Sequence, residues 1–392
     1  MSEKVYKSLE ERIEVLKQRN MDIKAHATKE RAIIEQNNYY NLINGYKHLF
    51  LDKIEMGKTE NLNNREDIYL NGTKPSELLA IMNFDDAMRS IFLKYLLAIE
   101  ENIKHAIVQS FYENFSNNDL HKEFEYTKEK YYNTNLTYFV QETNKKLFQS
   151  FTKASKKNGI PVRSQDIHQS EYRKIDRKAM YKDYCDVVTN AITDQKDKKE
   201  SIKSYKNKHG YVPMWILTNI LTMGNISHLF IILTDDVAFL SMDKLGIVHN
   251  NDEVDIYNMY RCLGVISLFR NICAHNDRFI CTTHSFKIDD YFMNYGKALV
   301  NYKEKKNHNT KLRYNQRETR KYAHKHIFPL LFSIMIFLKN EDRKKFTKKI
   351  NREFKKLDKK LNTINVKKVK EDIGLNIDIE KQISEITQNT KN

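Results

Sequence analysis

Residues that break helices or cross-link loops are scarce in this chain. Its 392 residues include 10 glycines, 4 prolines and 4 cysteines. Because glycine and proline interrupt helices and supply tight turns, their scarcity favours long helices and argues against a sheet-rich fold. The cysteines do not have the spacing of a disulfide framework, so we expect a reducing, cytoplasmic setting. They are Cys185, Cys262, Cys273 and Cys281.

A long uncharged apolar run is also missing. The best candidate, VPMWILTNILTMGNISHLFIIL, is interrupted by polar residues such as Asn219, Asn225 and His228. It predicts two buried helical pieces around a turn, with Trp215 in the core, and it does not predict a membrane span. The first twenty residues are charged throughout, so we also expect no signal peptide.

Negative charge is too scarce to balance the positive charge. The 67 Lys and Arg residues exceed the 51 Asp and Glu residues, which gives a formal net charge of +16. This excess of positive charge predicts a polyanionic partner. Nucleic acid is a commoner partner of this kind than an anionic membrane surface. The hydrophobic fraction of 40% is enough for a sizeable core.

Helical periodicity predicts an all-α fold. Ser8 and Glu11 have the spacing of a capping box, Pro75 begins a long amphipathic pattern that runs to about residue 113, and a second long pattern starts near Asn251. We divide the chain into N-terminal helices with the first part of a bundle (1–113), a polar helical insertion (114–210), the second part of the bundle (211–300) and a basic C-terminal extension (301–392). About the last twenty residues are polar enough to be disordered.

The second long pattern ends in RNICAHNDRF, residues 270 to 279. Arg270 can fork onto a phosphate, and His275 can move a proton near neutral pH. Together they suffice for metal-free cleavage of RNA, in which the 2′-OH attacks its own phosphate. Asn271 and Arg278 are supporting candidates, because Asn271 shares a helix face with His275 and Arg278 can add a phosphate contact.

The spacing within this stretch raises a difficulty. Five residues of an ideal helix turn through about 500°, so the side chains of Arg270 and His275 diverge by about 140°. To meet one substrate, either the helix loosens at its end or two chains assemble the site. A structural alternative is that both side chains merely complement the negative end of the helix dipole.

Soft metal ligands lie in the same region. Cys273, His275, Cys281 and His284 fall within twelve residues, but their order is not a familiar zinc pattern. Cys273 and His275 also diverge on a helix. We therefore predict no metal and no cofactor.

Four sequence blocks lie mainly within residues 10 to 110 and 210 to 280. They are IEVLKQRNMDI with NNYYNLINGYKHLF, YLLAIEENIKHAI, VPMWILTNILTMGNISHLF and LFRNICAHNDRF. In the last block, Arg270, Asn271 and His275 match the R-N-x3-H motif of HEPN-domain ribonucleases. The four blocks and their order resemble the Abi-like (AbiD/AbiF) abortive-infection family, and more closely its AbiF-like branch.

The resemblance implies a HEPN-type helical bundle and an RNA-cleaving toxin in anti-phage defence. It also implies a homodimer that joins two motifs, and a small structured noncoding RNA that acts as the antitoxin, with cellular RNA as substrate. Glu100 and Lys104 fall in the second block, at i and i+4 of one helix. By themselves they indicate a surface ion pair, and the resemblance favours instead a pair that orients Arg270 or His275. Lys104 stands where the family usually has Arg, so the forked contact is lost.

Two basic clusters and one tyrosine are the candidate RNA-binding residues. Both clusters lie in the C-terminal extension. Its basic helix has three alternative roles, which are docking on the domain, binding along RNA phosphates, or binding to a membrane surface. Tyr39 is a candidate for base stacking, whereas Tyr40, Tyr46 and Phe50 are predicted to pack in the core. The basic candidates are Arg313, Arg317, Arg320, Lys321 and Lys325 in the first cluster, and Lys345, Lys348, Lys349, Arg352 and Lys356 in the second.

Two functions from different classes remain. The first is a metal-independent endoribonuclease toxin restrained by RNA. The second is a catalytically silent RNA-binding protein in which the helices serve as a scaffold. The stretch RNICAHNDRF favours the first, because a scaffold has no need of Arg and His at this spacing.

Overall fold

The structure, a computed structural model, is helical throughout its described residues. These are residues 6–24, 26–58, 67–135, 175–195, 199–247, 249, 251, 253–286, 288 and 325–375. Within them, β pairing is confined to two isolated antiparallel bridges, Leu51 with Tyr69 and Tyr132 with Leu233. The all-α prediction is therefore confirmed, while the HEPN type and the boundaries of the insertion stay predictions.

The α-helices among the described residues are numbered in chain order. They are α1 (Leu9–Gln18), α2 (Thr28–Gln36), α3 (Lys53–Met56), α4 (Pro75–Asn114), α5 (Glu123–Tyr126), α6 (Arg177–Gln195), α7 (Glu200–His209), α8 (Met214–Leu217), α9 (Met223–Ile232), α10 (Asp235–Lys244), α11 (Glu253–Ala274), α12 (Phe328–Phe337), α13 (Asn340–Asp358) and α14 (Val366–Asp372).

The central element is α4, whose 40 residues make it about 60 Å long. Pro75 occupies its first turn, where proline is tolerated, and no further proline or glycine follows before Asn114. Helices α2, α10, α11 and α13 pack along it. Because α4 is buried on several faces, it forms the axis on which the other elements are placed.

Helix α11 is the second core element and carries the R-N-x3-H motif at its end. It packs against α4, α9, α10 and α12. Gly264 lies against the ring of Phe286, and a Cβ atom at this position would be 2.6 Å from that ring. A glycine is therefore required where the segment after the motif crosses the helix.

The apolar run from residue 212 to 233 forms two helices, α8 and α9, as predicted. The prediction that Trp215 is a core residue is wrong, since this residue is 41% exposed. The reason is the single turn of α8. Met214 and Leu217, three residues apart, share the buried face, and this turns the intervening Trp215 outward.

The basic C-terminal helix α13 docks on α4 through its apolar stripe. The ring of Phe346 lies 5.1 Å from that of Phe92 and 4.8 Å from that of Tyr95, and the ring of Phe354 lies 5.0 Å from that of Phe84. Since the stripe is covered, it is not available to a membrane surface. No helix in the described ranges is long and apolar enough to span a membrane.

Glu77, in the first turn of α4, holds the segment that follows α13. Its carboxylate accepts the N–H groups of Asn362 (2.7 Å) and Thr363 (2.8 Å) and the Thr363 hydroxyl (2.6 Å). The residue is only 1% exposed. A single buried side chain thus joins the C-terminal extension to the start of the central helix.

Replacing Glu77 by alanine should lower the free energy of unfolding by about 1–3 kcal/mol, because it removes the buried carboxylate that accepts the N–H groups of Asn362 and Thr363 and the Thr363 hydroxyl. The measurement is urea denaturation at neutral pH. Thr363→Val, which removes one hydroxyl and keeps both N–H contacts, is the matched control and should cost about 1 kcal/mol. An equal loss of unfolding free energy in the two variants would contradict the role of the Glu77 carboxylate in holding the segment after α13.

Candidate functional site

The R-N-x3-H motif ends α11 in a tightly specified turn. The N–H of His275 donates to the carbonyl of Asn271 at 2.9 Å, so the helical bonding continues to His275. Asn276 then adopts a left-handed conformation with φ of 62°, and the N–H of Asp277 donates to the Ile272 carbonyl at 3.1 Å. This is a Schellman-type ending. The helix does not loosen between Arg270 and His275, so within one chain the angular separation of the two side chains remains.

Arg270 is directed toward the central helix. Its Nε donates to Oε2 of Glu100 at 3.1 Å, and Lys104 Nζ lies 2.8 Å from the other oxygen of the same carboxylate. Glu100 is 6% exposed. One buried carboxylate therefore bridges two cations, which is the contact expected of Glu100 and Lys104 from the sequence.

Arg270 remains partly accessible to solvent. Its side chain is 31% exposed, and its two terminal nitrogens make no hydrogen bond within the described part of the chain. Glu100 thus fixes the guanidinium through Nε and leaves its forked edge to solvent. This arrangement suits a bidentate contact with a phosphate.

The segment after the motif is held by Asp85 of α4. This carboxylate, fully buried, accepts the N–H groups of Ile280 (2.7 Å) and Phe279 (3.2 Å) and the hydroxyl of Tyr46 (3.0 Å). It also pairs with Arg89 at 2.9 Å. Burial raises the pKa of the Asp85 carboxyl, whereas the Ile280 N–H and the Arg89 guanidinium oppose that rise.

Arg89 adds a second link to the same segment. Its Nη1 donates to the carbonyl of Asp277 at 2.8 Å, and its Nη2 contacts Asp86. Asp85 and Arg89 are spaced i and i+4 in a largely apolar stretch, a signal that sequence reasoning missed. Together they fix the chain on the C-terminal side of His275.

The supporting candidates occupy different environments. Arg278 donates through Nη1 to the carbonyl of Gly45 at 3.3 Å, which ties it to the N-terminal helices. Asn271 and His275 are exposed. Among the described residues, the His275 side chain forms no hydrogen bond or ion pair. The structure therefore brings Glu100, Lys104 and Arg270 together but does not join His275 to them.

Of the four soft ligands near the motif, Cys273, Cys281 and His284 are buried or partly buried, whereas His275 is exposed. Burial raises the pKa of the Cys273 and Cys281 thiols to about 12, and Cys281 Sγ contacts the Gly45 carbonyl at 3.6 Å. His284 Nε2 lies 3.0 Å from the His326 carbonyl, and burial lowers its pKa. In the parts of the chain that the structure describes, no three His, Cys, Asp or Glu residues form a metal-binding group. All four cysteines are free.

The basic candidates on α13 point to solvent. Lys345, Lys348, Lys349, Arg352 and Lys356 are all exposed. Some have local partners, since Lys356 pairs with Glu353 at 2.7 Å and Lys349 lies 5.6 Å from the ring centroid of Tyr95. Lys325 is exposed as well. The remaining candidates, Arg313, Arg317, Arg320 and Lys321, lie outside the described residues.

The aromatic residues of the N-terminal helices divide into two groups. Tyr46 and Phe50 are buried as predicted, but the packing prediction is wrong for Tyr40, which is 62% exposed. Tyr40 begins a single turn of π-helix whose buried residues are Leu42 and Ile43. Tyr39, the stacking candidate, is partly buried, and the Arg12 guanidinium lies 5.5 Å from its ring centroid.

Comparison with known proteins gives one match. A family model described as Abi-like protein matches residues 32–281, well over half of the chain. The range contains Asp85, Glu100, Arg270 and His275, and it ends before α12. No curated protein and no solved structure matches the chain.

Proposed function

The chain belongs to the Abi-like protein family, which indicates a role in abortive infection, and from this premise we propose that it is a metal-independent endoribonuclease. The proposed enzyme acts as a toxin in anti-phage defence. The observation that carries this proposal is the fixed Arg270, whose Nε binds the buried Glu100 while its side chain stays 31% exposed and its terminal nitrogens make no hydrogen bond within the described residues.

The proposed chemistry uses the two motif residues in separate roles. The guanidinium of Arg270 binds the scissile phosphate and stabilises the charge that develops on its oxygens. His275 transfers a proton at the 2′ or the 5′ oxygen. The 2′ oxygen then bonds to phosphorus as the bond to the 5′ oxygen breaks, leaving a 2′,3′-cyclic phosphate and a 5′-hydroxyl. DNA is not a substrate because it lacks the attacking group.

A second copy of the chain is part of this proposal. Because the helix stays regular to His275, one chain does not turn both motif side chains toward one phosphate. Leu97, one turn before Glu100 on α4, is 45% exposed, and Ala274 beside His275 is exposed too. Apolar side chains left open beside a site favour contact with another protein surface. A two-fold dimer through this face would place one copy's His275 toward the other's Arg270.

Restraint by a small noncoding RNA completes the proposal. The cationic face of α13 is exposed while its apolar face is docked, and the whole chain carries a formal charge of +16. A structured RNA lying on this face would gain many phosphate contacts without needing a reactive bond in the site. The toxin would then act when that RNA is lost or displaced.

The test is cleavage of RNA by protein freed of bound nucleic acid, in buffer that contains EDTA. Cleavage sites are mapped in cellular RNA, and an oligonucleotide that spans one site is made with a single 2′-deoxy residue at the cleaved position. We expect the all-ribose strand to be cut to a 2′,3′-cyclic phosphate and the substituted strand to survive. Cutting of both strands, or cutting that occurs only when EDTA is left out of the buffer, would refute the mechanism. Binding without cutting would leave an RNA-binding scaffold.

A further inference from the structure

Trp215 belongs to a group of exposed aromatic side chains that lies apart from the R-N-x3-H motif. We call this group the aromatic patch and define it as His121, Phe124, Tyr205, His209, Tyr211 and Trp215. Phe124 is 63% exposed, and none of the six residues is buried. Large aromatic side chains usually bury most of their surface, so a cluster that stays open marks an interaction surface.

Four rings of the patch, those of His121, Tyr205, His209 and Tyr211, contact one another in series. Centroids are 4.4 Å apart between Tyr205 and His209, 5.9 Å between Tyr205 and Tyr211, and 4.7 Å between His121 and Tyr211. Trp215 leans on Tyr112 at 5.3 Å. In tilted and edge-to-face pairs each contact covers at most one face of a ring, and the partial or full exposure of the six residues leaves ring surface accessible to solvent. Open faces are what planar, unpaired bases stack on.

The charges around the patch select an anionic partner. Lys203 and Lys208, on the same helix as Tyr205 and His209, are exposed and form no ion pair with any described residue. The neighbouring carboxylates are engaged, since Asp119 pairs with Lys122 at 2.6 Å and Glu123 accepts the Val212 N–H at 2.8 Å. The accessible groups are therefore aromatic faces and ammonium groups.

We propose that the aromatic patch binds single-stranded RNA, whose unpaired bases stack on Trp215, Phe124 and Tyr205 while Lys208, three residues after Tyr205 on the same side of α7, contacts the phosphates. Duplex RNA does not fit this surface, because its bases are stacked on one another and paired. The choice of RNA as the polymer rests on the proposed function, but binding at the patch needs no catalysis.

The patch is distinct from the motif site but lies on the same helix axis. Tyr112, against which Trp215 packs, follows Glu100 by three to four helical turns, which is about 18 Å along α4. A strand held at the patch can therefore extend toward Arg270 over a few nucleotides. The patch would raise the affinity for unpaired substrate without touching the reacting bond.

Trp215 is the sole tryptophan of the chain, so its fluorescence reports on the patch directly. The full-length His275→Ala protein, which should not cut the probe, is titrated with oligoadenosine and separately with the same strand paired to oligouridine. We expect saturable quenching by the single strand and no quenching by the duplex at equal nucleotide concentration. Phe124→Ala and Tyr205→Ala should each weaken binding about tenfold, because stacking contributes about 1–3 kcal/mol per base. Tyr40→Ala, at an exposed tyrosine elsewhere, is the matched control and should bind normally.

Three outcomes would overturn the inference. These are absence of quenching, equal quenching by the duplex, and patch variants that bind as tightly as the parent protein. A fluorescence change that depends on protein concentration without RNA would instead identify a contact between copies and would also overturn it. If wild-type protein cuts RNA while any of these outcomes is found, RNA binding at the aromatic patch is refuted and the proposed function stands. If the single strand quenches specifically but the wild-type protein never cuts RNA, binding at the patch stands and the proposed function is refuted.

Discussion

Replacing His275 by alanine should lower the rate of RNA cleavage by about a hundredfold to ten-thousandfold, the usual contribution of a positioned acid or base. The side chain is exposed and follows the end of α11, so its loss should change the free energy of unfolding by less than about 0.5 kcal/mol. The measurement is a single-turnover rate with protein in excess over an RNA oligonucleotide. Expression of the variant should also be harmless where the wild type arrests growth.

The control for this prediction is a histidine without a place in the proposed chemistry. His26 is exposed in the loop before α2, and His26→Ala should cut RNA at the wild-type rate. Glu100→Gln should fall between the two, because it weakens the contact that fixes Arg270 but leaves the guanidinium in place. An unchanged rate for His275→Ala would remove the endoribonuclease proposal.

Replacing Asp85 by alanine should lower the free energy of unfolding by about 3–5 kcal/mol, as is found when one partner of a buried charge pair is removed. The substitution removes the buried carboxylate partner of Arg89, which then keeps only the half-exposed carboxylate of Asp86, and it leaves the N–H groups of Phe279 and Ile280 without acceptors. Whole domains are stable by about 5–15 kcal/mol, so the loss should be evident as a lower midpoint of urea denaturation.

Smaller changes at the same place separate the contributions. Tyr46→Phe removes a single hydroxyl donor and should cost about 1 kcal/mol. Asp85→Asn keeps the size and one acceptor oxygen but loses the charge, and it should lie between Tyr46→Phe and Asp85→Ala. If Asp85→Ala cost no more than Tyr46→Phe, the carboxylate would not be holding the segment after the motif.

The long helices were predictable because their signals are local. The stretch from Pro75 to Asn114 contains no internal breaker, and its apolar residues recur at helical intervals, so α4 was expected almost to its last residue. For α13 the apolar stripe left docking open as one of three alternatives, and the contacts of Phe346 and Phe354 show that the stripe is docked on α4. Capping by Ser8 and Glu11 is equally local and is present.

The remaining features depend on partners that are remote in sequence. Asp85 meets backbone N–H groups nearly two hundred residues away, and backbone groups leave no mark in the sequence. Arg343 was part of a charge-rich run, yet it is buried and donates to the Met335 carbonyl at 2.6 Å. Trp215 was misplaced because the sequence does not show that α8 is only one turn long.

The candidate site was predictable in part for the same reason. Glu100 and Lys104 are spaced i and i+4, so their pairing follows from helix geometry. The contact of Glu100 with Arg270 depends on how α4 and α11 pack, which one sequence does not show. The arrangement of His275 and Arg270 in the proposed dimer would depend on a second copy of the chain.

Four contacts described above start from one uninterrupted helix: those of Glu77, Asp85, Glu100 and Tyr112 on α4. Such a helix fixes both the spacing and the direction of its side chains, since each residue advances by about 1.5 Å and rotates by about 100°. One residue inserted between Asp85 and Glu100 would put the two carboxylates out of phase, and either Arg270 or the segment after His275 would lose its anchor. Seven inserted residues would nearly restore the phase but displace one anchor by about 10 Å. Between these two carboxylates, evolution is free to change the composition of the helix but not its length.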